Sequence, residues 1–362
     1  SQEIFFATAE LKRRDLLQQR RQWRAILPHA IANRLAAMAL QNIPYPLIDQ
    51  AIVRGGSGRM LRSFSRRLGY LNGSKEAEAI VRGWLGKDGI LSDLLNLNEL
   101  GRAMFENIAP VLPEATLSAL EAGFGNADQD TLRLGRPFIR LLHSLAYDAA
   151  SFERAVRLLA RFATALDENN SETEAIKALA PLFYVAYSGT HAPLAMRLQV
   201  LKGLLESNRA FEQQLGIRAL EAAMTSEHFS PFSTFEFGAR SRDFGYWPKT
   251  GPEVGSWFED VLKFAEPFAL TDTPVNARVR KTIARKFRGL WTNGGRHSAL
   301  ERIVKAIAGN EFWRDGWVAA RQTRQYDGSR LKPDALRRLD QLEEFLRPKD
   351  LVNSVRGIVL GS

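Results

Sequence analysis

Residues 151–166 read SFERAVRLLARFATAL, and their apolar positions recur every three to four residues. That spacing places the apolar side chains on one face of an α-helix. Ser151 stands where an N-cap belongs, with a hydroxyl that can accept a hydrogen bond from the first turn. The stretch therefore predicts a helix with one buried stripe: Phe152, Ala155, Val156, Leu159, Phe162, Ala163 and Leu166.

The same spacing continues along the chain, and residues that typically begin or end helices stand between the stripes. Ser171 and Glu174 form a Ser-x-x-Glu capping box, which predicts a helix that ends at Gly189. Pro193 opens the next helix, because a missing N–H costs little in a first turn. Further helices are predicted over 211–224, after a second capping box at Thr250 and Glu253, and over 333–345.

Short polar joints between successive helices of about 12–16 residues are typical of stacked antiparallel helix pairs. The sequence has no strict repeat, so such an array is degenerate, as in HEAT, armadillo or tetratricopeptide proteins. We therefore predict an all-α fold, a degenerate helical-repeat solenoid with a small β-hairpin near its N-terminus.

The first 42 residues contain the only segment that resembles strands. Two short runs, 16–19 and 22–27, flank the polar pair Arg20-Arg21, which suggests a hairpin, and Pro28 then opens a helix. A hairpin beside a helix is typical of the end of a winged-helix domain. The predicted organisation is a winged-helix-like end with a basic hairpin (1–42), helical repeats (43–225), an ordered aromatic loop (226–252) and C-terminal helices with a basic patch (253–362).

The composition is that of a folded globular chain with a basic surface. Of the 362 residues, 45% are apolar and 25% are charged, and the formal net charge is +10, which favours anionic partners. Cys is absent, so disulfides and thiolate chemistry are excluded. No apolar run approaches the ~20 residues that span a bilayer. We expect a cytoplasmic protein that has no contact with the membrane.

The candidate catalytic motifs are incomplete. Residues 55–59, GGSGR, lack the Gly-Lys-Ser/Thr of a phosphate-binding loop. Asp243-Phe244-Gly245 matches the magnesium-binding tripeptide of protein kinases, but the other kinase motifs are missing. None of the five His has a partner at metal-ligand spacing, and His191 is expected to cap a helix or bond the core. The sequence predicts no enzymatic activity, no catalytic residue, no metal site and no cofactor in this chain.

Residues 226–250 contain seven aromatic side chains without a helical period. A long loop of this kind is typically ordered and packed. Its rings either cap the helical core or form, with charged neighbours, an interdomain or ligand-recognition surface, and the sequence favours neither interpretation. The candidate recognition surface consists of Phe235, Phe237, Arg240, Arg242, Asp243, Tyr246 and Trp247.

A basic helix is predicted to begin at Thr273-Pro274, and its residues 278–290 place apolar side chains on one face and four cations along another. The cations are Arg278, Lys281, Arg285 and Arg288. Such a face is suited to a phosphate backbone. A solvated outer face is the commoner explanation, and no zinc-finger, RNA-recognition or KH motif accompanies the helix. Nucleic acid is therefore the alternative partner.

Five stretches, taken together, resemble one class of protein. They are 27–35 (LPHAIANRL), 62–71 (RSFSRRLGYL), 107–117 (NIAPVLPEATL), 188–192 (SGTHA) and 235–246 (FEFGARSRDFGY). This chain resembles the region downstream of the nucleotide-binding module in bacterial STAND NTPases, the prokaryotic relatives of NLR immune receptors, many of which are thought to serve in antiphage defence. The resemblance covers most of residues 16–260, and the motifs that carry it are structural rather than catalytic. The chain departs from the full pattern of these proteins because it lacks the P-loop and any effector.

The resemblance implies a role for the chain without assigning any catalytic residue. In such proteins a helical sensor follows the winged helix, binds a trigger, and either relieves autoinhibition or drives oligomerisation of the part that carries the chemistry. The expected partner is a protein trigger or the adjacent domains of the same polypeptide, and the oligomeric state stays open. A nucleic-acid-binding helical-repeat protein is the alternative function, and an enzyme of unrecognised class is the remote one.

Overall fold

Amphipathic stretches form α-helices throughout the computed structural model, which describes residues 2–14, 16–20, 23–26, 29–166, 174–230, 236–309, 312–350 and 353. The chain divides into two compact units. Unit 1 contains residues 1–127 and 235–242, and unit 2 contains residues 128–234 and 243–362. The chain therefore leaves unit 1 after residue 127 and returns to it for residues 235–242.

The segments predicted from the sequence follow changes in composition, whereas the two units follow packing. The unit boundary at residues 127 and 128 falls inside the predicted helical-repeat segment 43–225. The aromatic segment is itself divided, because residue 242 belongs to unit 1 and residue 243 to unit 2. The division of the chain into four functional segments therefore stays a prediction.

A two-stranded antiparallel hairpin lies where the sequence predicts one. Helix α1 (Gln2–Arg13) precedes strands β1 (Leu17–Arg20) and β2 (Trp23–Ile26), and helix α2 (His29–Asn42) follows them. The register pairs residue 17 with 26 and residue 20 with 23. Residue 20 is thus part of a strand rather than of the turn, and the linking residues 21–22 lie outside the described part. The winged-helix assignment stays a prediction.

The other helices of unit 1 are short, and three of them begin at polar caps, namely Ser57, Ser74 and Asn98. A π-helical turn over Asp49–Arg54 follows the first of them. The hydroxyl of Ser57 accepts from the N–H of Met60, which satisfies a donor that the helix itself leaves unpaired. The helices are α3 (Tyr45–Ile48), α4 (Gly58–Gly69), α5 (Lys75–Leu85), α6 (Glu99–Ile108) and α7 (Pro113–Phe124).

Unit 2 consists of the remaining helices of the chain. Several of their bounds were predicted to within two residues, including those near 211–224 and 333–345. The helices are α8 (Gln129–Leu134), α9 (Ile139–Leu145), α10 (Ala149–Leu166), α11 (Glu174–Leu179), α12 (Leu194–Leu205), α13 (Ala210–Ala223), α14 (Gly251–Leu270), α15 (Asn276–Thr292), α16 (His297–Ala308), α17 (Arg314–Asp327) and α18 (Pro333–Leu346).

Within each unit, helices pack against the helix two positions further along the chain. In unit 1, α4 packs on α6 and α5 on α7. In unit 2, α14 packs on α16, α15 on α17 and α16 on α18. This alternate packing is typical of stacked helix pairs, in which each pair buries its apolar face against its neighbours. The predicted all-α, helical-repeat fold is confirmed.

The predicted N-cap at Ser151 is wrong. Helix α10 begins at Ala149, and Asp148, another residue type favoured at N-caps, precedes it. The N–H of Ser151 bonds to the carbonyl of Asp148 at 3.1 Å, so Ser151 already belongs to the first turn. Its side chain is buried. The stripe from Phe152 to Ala163 is buried as predicted, and the side chain of its last predicted member, residue 166, lies outside the described part.

The helix predicted to end at Gly189 is shorter than expected. Helix α11 ends at Leu179, a 3₁₀ turn spans Ala180–Phe183, and Tyr184 is extended. Pro181 has no N–H to donate to a helical bond, which favours this change. Residue 171, the predicted cap of the helix, lies outside the described part.

The capping box at Thr250 is confirmed, with one difference. The hydroxyl of Thr250 accepts from the N–H of Glu253 at 3.3 Å, while the Glu253 carboxylate accepts from the N–H of Lys249 at 2.6 Å rather than from that of the cap itself. We expect Thr250→Ala to lower the free energy of unfolding by about 1 kcal/mol, and Thr250→Ser by much less, because serine keeps the hydroxyl. Urea unfolding measures both, and equal losses in the two variants would exclude the cap as the cause.

Candidate recognition surface

The first part of the aromatic segment packs into unit 1. Phe237 is buried and pairs with Arg240 across a tight turn. Gly238 in that turn has φ +62°, and a Cβ there would lie 2.0 Å from the carbonyl oxygen of Gly69. The Nε of Arg240 donates to the carbonyl of Pro110 at 2.6 Å. These contacts fix the turn on the ends of helices α4 and α6.

Three residues of the predicted recognition surface therefore belong to packing in unit 1. The guanidinium of Arg242 lies over the ring of Phe237, 3.8 Å from its centroid, and Arg240 is held by the backbone. Phe237 is too buried to contact a partner directly. Phe235 lies outside the described residues.

The second part of the segment packs into unit 2, and Asp243 is the centre of its hydrogen bonds. The Oδ1 atom of Asp243 lies 3.0 Å from the hydroxyl of Tyr147, 2.8 Å from Nε2 of His191 and 2.8 Å from the N–H of Gly245. The rings of Tyr147 and His191 meet edge to face, with centroids 5.0 Å apart. The bond that His191 makes lies at the surface, so it is neither the helix cap nor the core bond that the sequence predicts.

The pKa of Asp243 is lowered in the folded protein. Partial burial raises it, but the hydrogen bonds from Gly245, Tyr147 and His191 together outweigh burial. A carboxyl whose folded pKa lies below its unfolded value, about 3.9, stabilises the fold above that value. The stabilisation is lost as the pH falls through the folded pKa.

The pH dependence of Asp243→Asn follows from this shift. We expect the variant to melt below the wild type at pH 7 and the difference to shrink as the pH falls below about 4. Thermal unfolding at a series of pH values measures it. Asp272→Asn, at an exposed carboxyl, is the matched control and should melt with the wild type. A difference that stays constant down to pH 3 would contradict the assignment.

A buried arginine holds the turn that faces this segment. Arg197 on helix α12 has no exposed surface. Its Nε donates to the carbonyl of Ala192 at 2.8 Å, and its Nη1 donates to the carbonyls of Leu182 at 3.0 Å and Tyr184 at 2.8 Å. Its Nη2 donates to the carbonyl of Thr190 at 3.2 Å. One side chain therefore donates hydrogen bonds to four backbone carbonyls between residues 182 and 192, a stretch that contains no α-helix to pair them.

The charge of Arg197 is accommodated without an ion pair to any described carboxylate. Burial lowers its pKa to about 9, with a smaller opposite effect of Tyr246, so the guanidinium stays charged at neutral pH. The guanidinium carbon lies 5.8 Å from the ring centroid of Tyr246 and 5.1 Å from that of Trp257. These two rings are stacked, 5.7 Å apart. Carbonyl dipoles and ring faces thus stabilise the buried cation.

Four aromatic side chains of unit 2 form what we term the aromatic cluster: Tyr187, Phe229, Phe244 and Trp247. The ring of Tyr187 contacts the other three, at centroid distances of 6.0 Å, 5.1 Å and 4.3 Å respectively. Phe244 is 40% exposed and Trp247 is 45% exposed. Tyr187 itself has φ 57°, a conformation that costs a non-glycine residue energy and persists only where its surroundings enforce it.

Backbone hydrogen bonds fix the aromatic cluster to the turn that Arg197 holds. The N–H of Gly189 donates to the carbonyl of Phe244 at 2.9 Å, and the N–H of Tyr246 donates to the carbonyl of Thr190 at 2.7 Å. Between them Gly245 has φ +83°, and a Cβ there would lie 2.4 Å from the backbone nitrogen of Thr190. The exposed rings are therefore presented by a firmly bonded backbone.

The predicted basic face of helix α15 is partly ion-paired. Arg285 lies 3.0 Å from the carboxylate of Glu221 on α13. Arg288 makes two bonds to Asp327 at the end of α17, at 2.6 Å and 3.1 Å. Their acidic partners are distant in sequence, so a helical wheel of α15 alone cannot show them.

The other two cations of that face are less engaged. Arg278 donates to the side-chain oxygen of Gln213 at 2.8 Å, and Lys281 is exposed and, among the described residues, in no ion pair. Only part of the predicted positive charge is therefore available to a phosphate backbone.

The sequence did not single out most of the residues that organise the site. Tyr147 and Asp243 are 96 residues apart, and no local pattern links them. Arg197 stands in an ordinary amphipathic helix, where an arginine is expected to point to solvent. Asp243, Tyr246 and Trp247 were predicted, and the structure brings them together with the residues that were missed.

No similarity to known proteins and no metal-binding group among the described residues assigns a function to this chain. Among the described residues there is no group of three or more His, Asp or Glu that could hold a metal ion. No helix of the described part is both long and apolar enough to cross a membrane. Comparisons with known protein families, with curated proteins and with solved structures find no significant match.

Proposed function

We propose that this chain is the non-catalytic recognition part of a cytoplasmic STAND-type NTPase. It binds a protein trigger and thereby controls a nucleotide-binding and effector part of the same polypeptide. The aromatic cluster is the observation that carries the proposal, because exposed rings on a fixed backbone are the side chains that dominate binding energy at protein interfaces.

The geometry of the cluster suits recognition of a protein. Large rings that are already held in place lose little conformational freedom on binding, which leaves more of the contact energy for affinity. Tyr187 keeps a positive φ at its centre, and strained residues tend to occur at functional sites. The STAND resemblance supports the wider role, since it places a trigger-binding helical sensor in this region.

Nucleic acid stays the alternative partner. It would bind the basic face of α15, where Arg285 and Arg288 are engaged by carboxylates. A nucleic-acid backbone carries a charge at every phosphate and would meet Glu221 and Asp327 beside these arginines, so the observed ion pairs favour the protein partner.

Affinity capture tests the proposal. The tagged chain is used as bait in lysate of phage-infected bacteria, beside the double variant Phe244→Ala/Trp247→Ala and the control Phe345→Ala. Phe345 on α18 is equally exposed, at 45%. We expect the wild type and the control to enrich one protein specifically and the double variant to lose at least nine-tenths of it, because hot-spot rings each contribute about 2 kcal/mol or more.

Two results would contradict the proposal. One is the absence of any protein that the wild type enriches over an unrelated bait. The other is equal capture by the double variant and the wild type, with the double variant shown to be folded by circular dichroism and an unchanged melting temperature.

A further inference from the structure

A polar cleft of about 790 Å³ lies beside the aromatic cluster in unit 2. Its walls are residues 224–228 after helix α13, one face of helix α15, and Asp327, Arg330 and Leu331 at and just after the end of helix α17. It is large enough for several residues of an extended peptide.

The cations of the cleft are Arg285, Lys286, Arg288 and Arg330. Asp327 bonds Nε and Nη2 of Arg288, and Glu221 bonds Nη2 of Arg285. Each guanidinium has five N–H donors, so each retains donors beyond these bonds. The two arginine side chains are 53% and 55% exposed. The carboxylates therefore hold the guanidinium groups in place and leave donors available to a ligand.

The cleft and the aromatic cluster adjoin at Tyr184. Tyr184 lines the cleft, and its ring lies 5.4 Å from that of Phe229 in the cluster. His228, which also lines the cleft, has φ 56°. Among the described residues, His228 and Tyr187 are the non-glycine residues with positive φ. Backbone strain is thus concentrated where the cleft meets the cluster.

We infer that the cleft binds an acidic segment of the protein partner. Aspartate or glutamate side chains of that segment accept hydrogen bonds from Arg285, Arg288 and Arg330, and a neighbouring apolar side chain of the same segment packs on the aromatic cluster. Arginine N–H groups suit carboxylate oxygens well, and such charge-assisted bonds are the stronger kind. The inference rests on the proposed function and names the chemistry of the trigger.

The acids of the cleft favour a peptide over a nucleic acid. Glu227 and Asp327 line the same walls as the arginines. A nucleic-acid backbone carries a charge at every phosphate, so it would meet these carboxylates at close range. A peptide can place neutral residues opposite them and carboxylates opposite the arginines.

Binding of fluorescent peptides to the full chain tests the inference. The probes are a labelled ten-residue peptide with one Trp and four Glu, the same peptide with Gln in place of Glu, and a ten-nucleotide oligothymidylate. The test variant is Arg285→Gln/Arg330→Gln, in which Glu221 keeps Lys286 at 3.5 Å as a partner. The charge-matched control is Arg337→Gln/Arg347→Gln, at exposed positions of α18 and its end.

We expect the acidic peptide to bind at least tenfold more tightly than the neutral one, and the test variant to lose about tenfold of that affinity. The control variant should bind as the wild type does, and added salt should weaken binding of the acidic peptide.

Three results would overturn the inference: equal affinity for the acidic and neutral peptides, tighter binding of the oligothymidylate, or equal losses in the test and control variants. Affinity capture of the trigger distinguishes failure of this inference from failure of the proposed function. If Arg285→Gln/Arg330→Gln captures the trigger as the wild type does, only the acidic segment is excluded. If the aromatic double variant captures it normally, the proposed function fails whatever the peptides do.

Discussion

Replacing Arg197 with methionine is expected to destabilise unit 2 by about 3 kcal/mol or more. Methionine fills a similar volume but donates no hydrogen bond, so the carbonyls of Leu182, Tyr184 and Ala192 lose the donor that now serves them. A buried acceptor without a partner costs about 1–3 kcal/mol. Helix α11 ends at Leu179, so no α-helical N–H groups are available to bond these carbonyls of residues 182–192 in place of Arg197.

Denaturant unfolding measures the loss, and hydrogen exchange of residues 182–192 locates it. Arg197→Lys keeps the charge but not the planar fork of donors, so we expect a smaller yet clear loss. Arg337→Met, at a side chain 70% exposed, is the control and should change stability by less than about 0.5 kcal/mol. Equal effects at positions 197 and 337 would show that the network around Arg197 contributes little.

Replacing Gly245 with alanine is expected to destabilise unit 2 by about 3 kcal/mol or more. Its φ of +83° is unfavourable for any residue with a Cβ, and the added methyl would lie 2.4 Å from the nitrogen and 2.6 Å from the oxygen of Thr190. Both are backbone atoms, so no side chain can turn away. The chain at 244–246 must separate from Thr190, and the aromatic cluster loses its support.

The matched control is Gly203→Ala, because Gly203 lies within helix α12 and a Cβ there meets nothing within 4 Å. Alanine should stabilise that helix by about 0.5–1 kcal/mol. Denaturant unfolding compares the two variants. A variant at 245 as stable as that at 203 would show that the backbone bonds to Thr190 are not needed.

The helical fold could be predicted from the sequence because its signals are local. The stripe from Phe152 to Leu166 and the cap at Thr250 depend on residues within a few turns of one another. The two wrong predictions about helix bounds concern the start of α10 and the end of α11, where more than one nearby residue could cap or end the helix. Ser151 and Asp148 are both good caps, and Pro181 interrupts a stripe that otherwise continues to Tyr187.

The site was less predictable because its bonds join residues far apart in the sequence. The aromatic segment was predicted as one surface, yet Phe237 is buried in unit 1 while Trp247 is exposed in unit 2. The basic face of α15 was predicted as four equivalent cations, but Glu221 and Asp327 distinguish Arg285 and Arg288 from Lys281. Only the packing of other helices supplies these partners.

The division of the chain has a consequence for synthesis on the ribosome. Phe237 and Arg240 complete unit 1 against Gly69 and Pro110, yet they emerge roughly 100 residues after its last helix. At about 5–20 residues per second, that separation is a delay of roughly 5–20 s. During this delay, residues 1–127 lack the turn that packs on the ends of α4 and α6. Unit 1 can therefore complete its folding only after the first half of unit 2 has been translated.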